Sequence, residues 1–153
     1  MRKTIKILLF ISFVFIVNCG YTPLFDSNKI DFYFSEVNFV GDKQINNYLN
    51  SVLKQHQNYS ESKKKFTLNI SSSYEKKIAN KDDSGNPKNY TIIVKVEAKY
   101  ISDDNKELTK TFQKNKSLAS KNKKIKEKEE EIKIKKDLSE NISNDIIFYL
   151  LSN

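Results

Sequence analysis

Tyr90-Thr91-Ile92-Ile93-Val94-Lys95-Val96-Glu97-Ala98-Lys99-Tyr100 is the stretch that decides the fold. Tyr90, Ile92, Val94, Val96, Ala98 and Tyr100 share one parity. Thr91, Ile93, Lys95, Glu97 and Lys99 take the other. Successive side chains of a strand point to opposite faces, so this is a strand with one apolar and one mostly wet side. That pattern belongs to an antiparallel sheet covered on one face only.

The neighbours on either side extend the sheet. Phe66, Leu68, Ile70 and Tyr74 alternate with polar residues and predict a strand over about 65–79. The cluster Asp82-Asp83-Ser84-Gly85-Asn86-Pro87 is a turn, and Asp103-Asp104-Asn105 makes a second one. Leu108, Phe112 and Leu118 mark a more polar strand around 106–118. Upstream, FYFSEVNFV at 32–40 is aromatic and β-branched, with a parity break that a bulge near Ser35-Glu36 would reconcile. Gly41-Asp42 ends it, and Asp42 is a good N-cap. Ile45, Tyr48, Leu49, Val52, Leu53 and His56 then recur at helical spacing, giving an amphipathic helix over 43–57. His56, the only histidine, is expected as a helix-end cation rather than a metal ligand. The last segment, 121–151, has no Gly or Pro. Its second half is expected to pack on the sheet, and its charged first half to project as a solvated helix or to be partly disordered. The order is β-α-β-β-β-α. It implies an α+β fold: a four-stranded, mostly antiparallel sheet with two helices packed on one face.

The N-terminus has a different character. Residues 1–18 carry Arg2, Lys3 and Lys6, then an apolar run from Ile7 to Val17 broken only by Ser12. At 1.5 Å per residue that run spans about 16 Å, half the hydrocarbon core of a bilayer. It therefore reads as a signal peptide rather than a membrane-spanning helix. Ile16-Val17-Asn18-Cys19 has the form of a lipoprotein cleavage box, with an aliphatic residue three before an obligatory cysteine. Cys19 is the only cysteine, so no internal disulfide competes for its thiol. Asn18 stands where Gly, Ala or Ser is usual. Two or three acyl chains on Cys19 would anchor the chain permanently. Three regions follow: a signal peptide at 1–18, a lipidated tether at 19–31, and one α+β domain at 32–153.

The chain has 27 Lys and Arg against 19 Asp and Glu, and cations stay in excess after the signal is removed. A basic exported domain suits an anionic partner, although a Lys-rich, Asn-rich composition makes many of these lysines mere solvated charges. The outer sheet face is expected to carry Lys95 and Lys99 on one strand, with Lys110, Lys114 and Lys116 on the next. Lys76, Lys77, Lys81 and Lys88 flank the first hairpin. Of these, Lys76, Lys77, Lys95 and Lys99 are the candidates for binding an anionic glycolipid. No constellation suits catalysis. Three glycines cannot build a phosphate cradle, a triad would have to rest on His56, and the paired aspartates belong to turns. No cofactor or metal is expected, and the export signal argues against a nucleic-acid partner.

Cys19-Gly20-Tyr21-Thr22-Pro23-Leu24-Phe25 resembles the mature start of the LPS-assembly lipoprotein (LptE) family, whose members often begin Cys-Gly-(aromatic)-x-Pro-Leu-(aromatic). The order of strands and helices is similar too. The charged insert near 121–137 and Asn18 are departures. The resemblance implies a non-enzymatic lipoprotein of the outer membrane, anchored on its periplasmic side through Cys19. It implies insertion into the lumen of the LptD β-barrel, where family members act as a plug, assist assembly and can bind lipopolysaccharide. Gly20, Tyr21, Pro23, Leu24 and Phe25 carry over as the family's opening segment. A different class stays open: an auxiliary lipoprotein of an ABC-type lipid transporter or another envelope assembly machine.

Overall fold

The computed structural model describes residues 31–57 and 63–152. The elements run β1 (Phe32–Gly41), α1 (Lys43–Leu53), β2 (Lys64–Lys81), β3 (Pro87–Ser102), β4 (Glu107–Ala119) and α2 (Lys124–Leu151). The four strands form one sheet in the order β1-β2-β3-β4. β1 is parallel to β2, as a strand returning through a helix must be, and the two later pairs are antiparallel hairpins. The α+β class and the element order agree with the sequence reading.

The corner from β1 into α1 is set by two residues. Gly41 sits at φ +102°, and a Cβ there would lie 2.0 Å from the Ser72 carbonyl oxygen. Only glycine allows β1 to approach β2 this closely. Asp42 then caps α1, its Oδ1 accepting from the Gln44 and Ile45 N–H groups at 2.9 Å each. A register shift between Phe34 and Glu36 is the bulge that the parity break required. Helix α1 ends at Leu53, and a single 3-10 turn, Lys54–His56, completes the span.

The core lies between the sheet and the helices. Leu68, Ile70, Ile92, Val94, Val96, Ala98 and Tyr100 meet Ile45, Leu49 and Leu53 of α1 and Leu138, Ile142 and Ile146 of α2, all buried. Ser139 and Ser143, both fully buried, keep α2 close to α1, and Ser143 Oγ donates to the Leu49 carbonyl oxygen at 3.4 Å.

Helix α2 runs back along the edge strand β4. Lys116 meets Asp137 at 3.2 Å and Lys114 meets Asp145 at 2.8 Å. Lys110 lies 5.5 Å from the centre of the Tyr149 ring. The charged first half of α2 neither projects nor frays. It is helical from Lys124, and Glu127, only 5% exposed, is drawn onto the sheet. His56 also departs from expectation. It stacks on Phe32, with ring centroids 6.2 Å apart. It ends the helical span, but burial first, and then the charge of Lys63, lower its pKa from the ordinary 6.5, which disfavours the cation expected there.

Candidate functional site

The helices leave one face of the sheet uncovered, and register fixes its composition. Paired residues of antiparallel strands share a face. Asn69 pairs with Lys99, Ser71 with Glu97, Ser73 with Lys95, Glu75 with Ile93 and Lys77 with Thr91. Across β3, Lys99 pairs with Thr109, Glu97 with Thr111, Lys95 with Gln113 and Ile93 with Asn115. Asn38 of β1 joins this surface, donating from Nδ2 to Asn69 Oδ1 at 3.1 Å. The uncovered face is therefore mostly hydroxyl and amide side chains, with charges and the apolar Val40, Ile93 and Ile101 set among them.

Those charges nearly balance. Lys77 pairs with Glu75 at 3.0 Å and Lys99 with Glu107 at 2.8 Å. Glu97 stands between Lys95 and Lys99 on the same strand. Lys95 is in none of the ion pairs among the described residues. Lys77 sits across from Thr91, so Lys77, Lys95 and Lys99 follow one another at four-residue steps, about 13 Å each at 3.3 Å per residue.

The expected row of lysines is thus broken up. Lys77, Lys95 and Lys99 share the uncovered face. Lys110, Lys114 and Lys116 do not, because β4 pairs them with Ala98, Val94 and Ile92, residues of the core face. Their own parity carried that signal, since Leu108, Phe112 and Leu118 share it.

Lys76 also lies on the helix side, opposite Ile92. Its Nζ donates to Glu127 Oε1 at 3.0 Å and to Glu131 Oε2 at 2.9 Å, and it sits 4.2 Å over the Tyr90 ring. Burial opposes its charge, but the hydrogen bonds to Glu131 and Glu127 outweigh that and raise its pKa. Glu127 is held down to about 2. The backbone N–H of Lys121 is the leading cause, burial opposes it, and Lys76 adds to it. Glu131 accepts from the Tyr74 hydroxyl at 2.6 Å, and Lys135 lies 3.6 Å from it and over the Tyr74 ring. This cluster fastens the first turns of α2 to β2. Sequence reasoning missed it, although Lys76 shares the parity of Leu68, Ile70 and Tyr74.

Cys19 and the opening segment Gly20, Tyr21, Pro23, Leu24 and Phe25 lie outside the described residues. Among the described residues no helix is long and apolar enough to cross a membrane.

No family model and no curated protein matches the chain in sequence. Solved structures match it in fold. Rare lipoprotein B from Shewanella oneidensis aligns with a TM-score of 0.60 at 12% identity, covering 76% of this chain and 94% of that one. An uncharacterized lipoprotein B from Nitrosomonas europaea aligns at 0.58 and 20%, covering 84% and 88%. A minor lipoprotein from Acinetobacter baumannii aligns at 0.53 and 9%, covering 78% and 94%. At these identities the likeness is one of fold. Nearly the whole of each neighbour is matched by the two helices and four strands of this chain.

Proposed function

We propose that this protein is an LptE-like lipoprotein, anchored through Cys19 to the periplasmic side of the outer membrane. It acts with an LptD-like β-barrel in the assembly and translocation of lipopolysaccharide, as a plug and a lipopolysaccharide-binding subunit. Its role is binding and structural, not catalytic. The observation that carries the reading is the uncovered sheet face. Its hydroxyl, amide and balanced charged groups suit the polar, hydrated lumen of a large barrel, where an apolar or strongly charged face would not. The run Cys19 to Phe25 supports the same reading from the sequence, and the lipoprotein neighbours support it through the fold.

Capture of the lipidated, tagged chain from detergent-extracted outer membrane tests the proposal. A large β-barrel protein should co-purify in stoichiometric amount. Recovery of an inner-membrane permease instead would move the function to an ABC-type lipid transporter, and recovery of neither would remove the barrel from the account.

A further inference from the structure

At the end of the domain where the tether enters, an apolar cleft and exposed apolar side chains occur together, whereas Ile78 and Ile125, exposed at the other end, flank no such cleft. The cleft is open, about 350 Å³, and floored by Phe32, Phe66, Tyr100, Leu108 and Leu150. Asp31, the residue at which the chain enters the domain, stands on its rim. Leu108, which lines it, is 42% exposed, and Phe148 and Leu151, in the same last turn of α2 as the lining residue Leu150, are 58% and 37% exposed. Three ion pairs tie up charges at this end. Lys64 pairs with Asp31, Lys65 with Asp103 and Lys106 with Asp104.

We propose that, until a barrel partner takes the domain up, this end rests on the bilayer that carries the anchor, with Leu108, Phe148 and Leu151 entering the headgroup region and the cleft receiving lipid chain. The inference rests on lipidation of Cys19. Residues 19–30 can span at most about 40 Å, so Asp31 and the cleft are held near the leaflet. The turn at Asp82–Asn86 lies at the far end of β2, about 55 Å away along the strand. Exposed apolar groups on a rim of paired charges match zwitterionic headgroups, and side chains of this kind settle about 5–10 Å into the boundary between headgroups and acyl chains. The tether and the apolar rim thus point the same end of the domain at the membrane, leaving the polar sheet face free to meet a protein partner.

The chain has no tryptophan, so a single introduced indole reports its own surroundings. The full chain, lipidated in its host, is reconstituted into phosphatidylcholine and phosphatidylethanolamine vesicles with or without brominated lipid. The variants are Phe148→Trp and Leu108→Trp, with Ser84→Trp at the far turn as the reference. Phe148 is well exposed, so its replacement leaves the fold intact, and circular dichroism checks each variant. Bromine should quench the indoles at 148 and 108 several-fold and leave the indole at 84 bright. If all three stay bright on vesicle-bound protein, the anchor stands and the docking is wrong. Equal or stronger quenching at 84 also overturns it. Protein that fails to associate with vesicles would overturn the anchor, and the docking with it.

Discussion

Replacing Lys76 with methionine tests whether the charged start of α2 is fastened to the sheet. In the folded protein Lys76 makes two charge-assisted hydrogen bonds, at 3.0 Å to Glu127 and 2.9 Å to Glu131, with its side chain about a quarter exposed. Each such bond contributes roughly 1.5–3 kcal/mol when shielded from water. The loss is smaller than their sum. Glu127 keeps the Lys121 N–H at 3.1 Å, Glu131 keeps the Tyr74 hydroxyl at 2.6 Å, and methionine retains packing on Tyr90. The expected destabilisation is about 2–3 kcal/mol. In urea melts followed by circular dichroism, with a slope of about 1.5 kcal/mol/M, the midpoint should fall by more than 1 M. Lys95→Met is the control. Lys95 is exposed and in no ion pair among the described residues, so its change should stay within about 0.5 kcal/mol. A cycle that adds Glu131→Gln should return a coupling of about 1 kcal/mol. Equal midpoints for the Lys76 and Lys95 variants would refute the docking of this helix start.

Three further outcomes are expected. Gly41→Ala forces a Cβ to within 2.0 Å of the Ser72 carbonyl at φ +102°, and should cost about 3 kcal/mol, read as a fall in thermal midpoint. Glu127 has its pKa lowered from 4.5 to about 2, so its stabilising effect is complete above about 4.5 and is lost as pH falls toward 2. Glu127→Gln should therefore flatten the acid limb of the stability profile over that window, and an unchanged limb would show that the carboxylate is not held this way. If the uncovered face binds lipopolysaccharide, Lys95→Gln combined with Lys99→Gln should weaken binding several-fold, at about 0.5–1 kcal/mol per exposed cation, with no shift in melting point.

Much of this fold could be read in the residues because its strands obey a period of two and its corners use residues with one physical role. The parity of Tyr90 to Tyr100 gave the covered and uncovered faces. Gly41-Asp42 gave the strand-to-helix corner, and the broken parity at Ser35-Glu36 gave the bulge. The lysines are harder to place, because a charged side chain suggests exposure whatever its parity. On β4 the residues of core parity are Leu108, Lys110, Phe112, Lys114, Lys116 and Leu118. A lysine can hold such a position when its long stem packs along the sheet and its ammonium reaches a carboxylate on the covering helix. That second partner is distant in sequence, and no local pattern announces it.

The same pairing explains why the cation count misleads about partners. Lys76, Lys114 and Lys116 are neutralised by Glu127, Glu131, Asp145 and Asp137 of α2, so the charged stretch that reads as a solvated arm acts as the counterion layer of the sheet. This arrangement also guards an edge. β4 lies at the border of the sheet with inward lysines and a helix drawn across it, a combination that discourages pairing with another chain. With those cations engaged inside, the uncovered face keeps Lys77, Lys95 and Lys99 against Glu75, Glu97 and Glu107. The excess positive charge in the composition is therefore not displayed as a cationic patch on this face. A partner that meets it will be recognised through hydrogen bonds to Ser, Thr, Asn and Gln more than through net charge, which fits a hydrated barrel wall and predicts only a weak dependence of capture on salt.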